Sequence, residues 1–214
     1  MKYLDRVVLS VVALSALGLT QTHFRWSARK AQELSYDQTI AKSTELTSAD
    51  RESLLKAIAA QIRPFKKDLE ISSEHELRAI AAKTRIKLVD LNGDGTPEVL
   101  AQGNNLKAGC GATGNCPFWV FEKTPSGFLK LLDTRNKDGN GGIQLFTISE
   151  SKSNGFNDLV LATHDSASER SLYVYRFRSG KYQQAECYVA SWVSTEHGKW
   201  RELKNPEIGP CPND

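Results

Sequence analysis

The hydrophobic period of this chain changes once, near Thr84, and that change restricts the folds open to it. Before it, Leu54, Leu55, Ile58, Ala59 and Ile62 form a stripe whose i, i+3, i+4 spacing lies on one face of a helix. Thr47 with Asp50 supplies a capping start and Pro64 a stop; Ser73 with Glu76 repeats the start for a shorter helix carrying Leu77, Ile80 and Ala81 to about Lys83. After Thr84, Ile86 and Leu88 alternate with Lys87, and β-type runs follow at 85–91, 97–102, 117–123, 128–133, 143–148, 158–164, 171–177 and 181–188. Helices that precede strands, with hairpin signals between neighbouring strands, predict an α+β fold of about eight mainly antiparallel strands. The domain plan is a helical segment over 47–84 and a β-rich domain over 85–214.

The strands read as two related four-stranded units. Laying Gly95 on Gly155 matches Gly-Thr-Pro-Glu-Val-Leu-Ala at 95–101 with Gly-Phe-Asn-Asp-Leu-Val-Leu at 155–161. Trp119-Val120-Phe121 before Ser126-Gly127 likewise resembles Tyr173-Val174-Tyr175 before Ser179-Gly180. The first unit carries extra residues over 103–116, read as an insertion beside the loop described next.

Between the first two strands lies Asp90-Leu91-Asn92-Gly93-Asp94-Gly95-Thr96-Pro97-Glu98. Asp90, Asn92 and Asp94 offer side-chain oxygens, Thr96 its carbonyl and Glu98 a carboxylate, while Gly95 permits a sharp turn. Calcium takes roughly six to eight oxygens, so alternate oxygen-bearing positions are the spacing such a site needs. Ala101 stands where an EF-hand has its bidentate glutamate and the flanks are strands, which excludes that motif; magnesium prefers a smaller octahedron and keeps its waters. The competing reading is an Asx-rich turn whose side chains cap backbone amides without a metal. In the second unit Glu150, Lys152 and Asn154 stand at the places of Asp90, Asn92 and Asp94, and an ammonium there leaves one site for one Ca2+ ion.

The loop resembles the Asp-x-Asn-x-Asp-Gly-x-x-Glu/Asp loops of FG-GAP and VCBS-like repeat proteins, in which a short β-hairpin carries calcium in extracellular proteins. The resemblance covers 86–102 and implies metal ligation by Asp90, Asn92, Asp94, Thr96 and Glu98. Those repeats stack as propeller blades, typically about four to eight; two units make no closed propeller, and a compact sandwich or half-open barrel closed over by the helices fits the length.

Lys2 and Arg6 precede the apolar run Val7 to Leu19, the pattern of a signal peptide over 1–18 with small residues Ala16 and Gly18 before the cut, or of an uncleaved anchor with Trp26 at the interface. Residues 19–46 read as a linker or loose helix. Four cysteines in an exported chain favour disulfides over zinc, because no histidine stands at ligand spacing. Three pairings are open; glycines inside Cys110–Cys116 favour that bridge, leaving Cys187 for Cys211. The expected location is secreted or periplasmic.

A net charge of +3 without an aromatic-interleaved basic run argues against nucleic acid. Membrane contact is expected only with an uncleaved signal segment. The glycines at 109–114 and 139–142 lack a phosphate-loop signature and read as exposed loops. His164-Asp165-Ser166 has triad residue types, but neighbours on a strand point to opposite faces. His23, His75 and His197 have no identifiable partner. Phe118, Trp119, Phe121, Tyr173, Tyr175 and Phe177 read mainly as core, with Trp192 and Trp200 as candidate surface aromatics.

The preferred reading is an exported binding or structural module, more a binder than an enzyme, with one calcium-stabilised hairpin. Its recognition loop is 107–117, and its partner an envelope or extracellular protein or glycan. The alternatives are an envelope-polymer hydrolase using Asp133, Asp138, Asp158 or Asp165, and an inhibitor of an exported enzyme.

Overall fold

The structure, a computed structural model, describes residues 36, 38–135, 141–196 and 199–212. The signal segment, most of the 19–46 segment, His23, Asp138 and His197 lie outside them. The helical start signals act as read. Thr47 caps α1 (Ser48–Ile62) by accepting from the Asp50 amide at 3.1 Å, and Ser73 caps α2 (Glu74–Ala82) by accepting from the Glu76 amide at 3.0 Å. Pro64 falls in a 3-10 turn that ends α1. Leu54, Ile58, Ala59 and Ile62 are all buried, as are Leu77, Ile80 and Ala81.

Ten strands, not eight, make two five-stranded antiparallel sheets. The first runs β1 (Gln38–Thr39), β2 (Arg85–Val89), β3 (Glu98–Gln102), β4 (Phe118–Thr124), β5 (Gly127–Asp133). The second runs β6 (Leu145–Ser153), β7 (Phe156–Ala162), β8 (Glu169–Arg178), β9 (Lys181–Glu196), β10 (Lys199–Pro210). The added strands are both edges. β1 is a two-residue pairing within the segment read as a linker, and Ile40 beyond it is buried among the helices. β10 lacks an alternating apolar pattern and carries Pro206 and Pro210; an edge strand pairs on one side only, so proline and charge are tolerated there.

Three layers result. Ile86, Val99, Ala101, Trp119 and Phe121 on one face of the first sheet pack against α1 and α2. Leu100, Phe118 and Val120 on its other face meet Phe146, Leu159 and Leu161 of the second sheet. The opposite face of the second sheet carries Val160, Ala162, Leu172, Val174 and Ala190.

Pairing is the same in both sheets. Val99↔Phe121, Leu100↔Val120 and Ala101↔Trp119 answer to Leu159↔Tyr175, Val160↔Val174 and Leu161↔Tyr173. A bulge follows Val120 in one and Val174 in the other. The turns of the second hairpins correspond as Pro125-Ser126 with Ser179-Gly180, since Thr124↔Gly127 and Arg178↔Lys181 close them. That moves the sequence alignment by one residue in this segment.

The sheets are also joined by backbone, through an antiparallel bridge of Cys116 with Ile143. Gly142 lies so close that an added Cβ would stand 2.7 Å from the Cys116 backbone, so this glycine is buried, not part of an exposed loop.

Phe118 is fully buried between the sheets. Phe118→Ala is expected to lower unfolding free energy by about 3–5 kcal/mol through lost burial and a residual cavity, read as a fall in urea midpoint with the slope unchanged.

Candidate functional site

The connection 90–97 leaves the first sheet after Val89 and returns at Glu98, which pair with each other. Glu98 shares its face of β3 with Leu100 and is only 1% exposed, so its carboxyl is held under the loop at the margin of the inter-sheet core. Its Oε2 accepts from the Leu91 amide at 2.7 Å. The Leu91 side chain is fully buried in that core and its carbonyl accepts from the Asn157 amide of β7 at 2.7 Å. Leu91 therefore fixes the loop to both sheets.

Above it the oxygens converge on the loop's own amides. Asp90 Oδ1 accepts from Gly93 N at 2.6 Å and Oδ2 from Gly95 N at 2.9 Å. Asn92 Oδ1 accepts from Asp94 N at 2.9 Å, and Asp94 Oδ1 from Thr96 N at 2.6 Å. Asn92 Nδ2 donates to Asp94 Oδ2 at 2.9 Å. These are the Asx turns that compete with the calcium reading. Gly95 has φ +85°, a left-handed turn. Among the described residues no three His, Cys, Asp or Glu side chains are gathered as a metal group. The donor chemistry nonetheless suits a hard cation: Asp90, Asn92, Asp94 and Glu98 offer only oxygen acceptors as potential ligands, and the Thr96 carbonyl adds another. Backbone hydrogen bonds hold the Asp90 carboxyl below its usual range. Burial lifts Glu98 to about 7, with the charges of Asp94 and Asp90 adding to the rise.

The second hairpin has no such loop. β6 and β7 are joined by Asn154 and Gly155 alone, both at positive φ, so Glu150 and Lys152 are strand residues and not loop positions.

The cysteines pair as Cys110–Cys116 and Cys187–Cys211. Two disulfides fit an oxidising, extracellular or periplasmic environment. Among the described residues no helix is long and apolar enough to cross a membrane. The disulfide loop stands at the far end of β3 from the Asp90 loop, roughly 15 Å away along a strand rising about 3.3 Å per residue, and not beside it. Asn105 caps a short 3-10 turn, and Asn115 exchanges two hydrogen bonds with the His164 backbone, at 2.8 and 3.0 Å. Lys107 pairs with Glu76 of α2. Leu106 is left 70% exposed.

His164, Asp165 and Ser166 lie in the loop after β7, not on a strand. His164 Nδ1 stands 3.1 Å from Thr113 O, while Asp165 accepts from Thr163 and Ser171, so the three form no relay. His75 is exposed on α2. Asp133 is engaged by Arg135, whose guanidinium lies over the Phe65 and Trp119 rings at 4.7 and 5.1 Å. Asp158 lies in β7, 3.7 Å from Arg176. A cleft of about 290 Å³ between the helices is lined by Leu55, Lys56, Ala59, Arg63, Glu74 and Arg78, none of them a hydrolase candidate. The Arg176 partner of Asp158 had no sequence signal, because that pairing needs the folded sheet, whereas Arg135 stands only two residues from Asp133. Of the aromatics, Phe118, Trp119 and Phe121 are buried, Trp192 is half-buried and Trp200 is 76% exposed.

Comparison with protein-family models, curated proteins and solved structures found no match.

In calcium-free buffer the native Glu98 holds its proton up to about pH 7 while the unfolded side chain loses it near 4.5. Stability contributed by the protonated form is full below the lower value and falls as pH rises between the two, by ~3 kcal/mol at about 1.4 kcal/mol per unit. Asp90, shifted downward, acts only at more acid pH. Urea melts across this window should show the fall in the wild type and a flatter profile in Glu98→Gln.

Proposed function

We propose that this protein is an exported binding or structural module of the envelope or extracellular space. It contains two related four-stranded units, the first of which holds one calcium ion through Asp90, Asn92, Asp94, the Thr96 carbonyl and Glu98. The observation that supports the calcium reading is the run of oxygen donors along the β2–β3 connection, which lies over the buried Glu98 carboxyl. The matched pairings and bulges of the two sheets support duplication, with β1 and β10 as additions at the edges. Bound calcium would supply a multivalent positive charge to the loop. Asp90, Asn92, Asp94, the Thr96 carbonyl and Glu98 would hold it, and the Leu91 amide orients the Glu98 carboxyl.

Binding of this kind stabilises by mass action. Calcium at about a hundred times its dissociation constant should add about 2.7 kcal/mol and raise the melting temperature. Asp94→Ala should abolish that rise, and its metal-free melt should fall modestly through loss of the contacts to Thr96 N and Asn92. An unaltered wild-type melting temperature in millimolar calcium would refute the ion.

Recognition is assigned to the opposite end of the first sheet. The Cys110–Cys116 bridge, the Asn115–His164 pair and the Lys107–Glu76 contact pre-order a loop presenting Leu106, which lowers the entropy lost on binding an envelope or extracellular protein or glycan. A partner captured from envelope extract by the wild type should be lost with Leu106→Asp and with Cys110→Ser/Cys116→Ser. Equal capture by all three would move recognition elsewhere.

A further inference from the structure

Lys152 belongs to the second sheet yet serves the first. It pairs with Asn157 across β6 and β7, and Asn157 lies on the same face of β7 as Leu159 and Leu161, the face turned toward the first sheet. Asn157 donates its amide to Leu91 O, and Lys152 extends alongside. Its Nζ stands 3.6 Å from the position a Cβ would take on Gly93. A lysine ammonium is thereby stationed against the loop that carries Asp90 and Asp94, from an element remote in sequence and independent of the loop's own turns. Among the described residues Lys152 forms no ion pair within 4.0 Å, either with the loop's own carboxylates or with any other, so the ammonium stands near the loop's charge without a direct contact to it.

We propose that Lys152 is an intramolecular counter-ion of the Asp90–Glu98 loop that opposes calcium there and sets a weakened affinity. The inference rests on the calcium reading above. Its physics is Coulombic: at a separation of about 6 Å in a water-like dielectric, an ammonium would weaken the binding of a divalent ion roughly tenfold, and salt screens the effect. Without calcium the same ammonium offsets the loop's negative charge. With calcium it must withdraw from the loop or be repelled. Lys152 stands in the β6–β7 hairpin, so the loop's occupancy is felt by the second sheet as well as the first.

The experiment titrates calcium into the full chain by calorimetry at low and high sodium chloride, for the wild type, Lys152→Arg, Lys152→Gln and Lys152→Glu. Circular dichroism controls for folding; the side chain is exposed on a strand surface. Arginine should bind like the wild type, glutamine roughly tenfold tighter and glutamate tighter again, with the spread shrinking at high salt. Dissociation constants within twofold across the four would overturn the proposal while leaving the calcium site standing. A metal-free double-mutant cycle of Lys152→Gln with Asp94→Ala reads the ammonium's coupling to the loop without calcium, and zero coupling at low salt also overturns it. If no variant binds calcium, the calcium reading and the competition both fall, and a non-zero cycle then makes Lys152 the loop's own cation.

Discussion

The structure depends on the apolar contact between its two sheets. Leu100, Phe118 and Val120 on one side and Phe146, Leu159 and Leu161 on the other bury side chains worth about 1.5–3 kcal/mol each when fully removed from water. Neither sheet could leave that face open to solvent without exposing a continuous aromatic and aliphatic patch. Leu91 adds the loop to the same core, so the position of Asp90 and Asp94 follows from how the sheets stack and not from local sequence alone. The α1–α2 layer covers the outer face of the first sheet, where Trp119 and Phe121 would otherwise meet water.

Much of this was legible wherever the signal is local. A hydroxyl three residues ahead of a free amide specifies a helix start in any context, and both Thr47 and Ser73 cap as their spacing requires. Apolar alternation marked the inner strands because they are buried on a face, and the short Cys110–Cys116 loop pairs under its own glycines. The edge strands escaped for the opposite reason. β10 satisfies only one row of backbone groups and turns charged residues to water, so little in Lys199–Pro210 separates it from a tail except the Cys211 tether. The one-residue slip between the two second hairpins has a comparable cause. Ser-Gly is a strong turn pair, but in the first unit Pro125 and Ser126 make the turn and Gly127 begins the strand.

Carboxylates show where sequence reading stops. Asp133 looked available for chemistry, yet Arg135 is seated over Trp119 and Phe65 and grips it with two nitrogens, at 3.1 and 3.0 Å. Its carboxyl is held below the usual range by that guanidinium against the opposing effect of burial. The cation–π stack and the forked ion pair fix one another, closing the end of β5 onto the turn after α1. The stacking on Phe65 and Trp119 is a long-range product of the fold, whereas the ion pair joins residues two apart.

Glu98 and Asp158 occupy the same place in their sheets, each one residue before the pairing that joins Val99 to Phe121 or Leu159 to Tyr175. Both are buried, and a buried carboxylate must be compensated. Asp158 has Arg176 at 3.7 Å, and Arg176 in turn pairs with Glu186. Glu98 forms no ion pair among the described residues and relies on the Leu91 amide. The difference follows from the connections. A turn of Asn154 and Gly155 has no room for further oxygens, so charge balance at Asp158 comes from a neighbouring strand. The longer 90–97 connection brings two more carboxylates over Glu98 and makes its burial costlier unless positive charge enters from outside the loop. Below about pH 7 Glu98 meets that cost by keeping its proton, so the two buried carboxyls are balanced differently: Asp158 by an arginine of the next strand, Glu98 by protonation and the Leu91 amide.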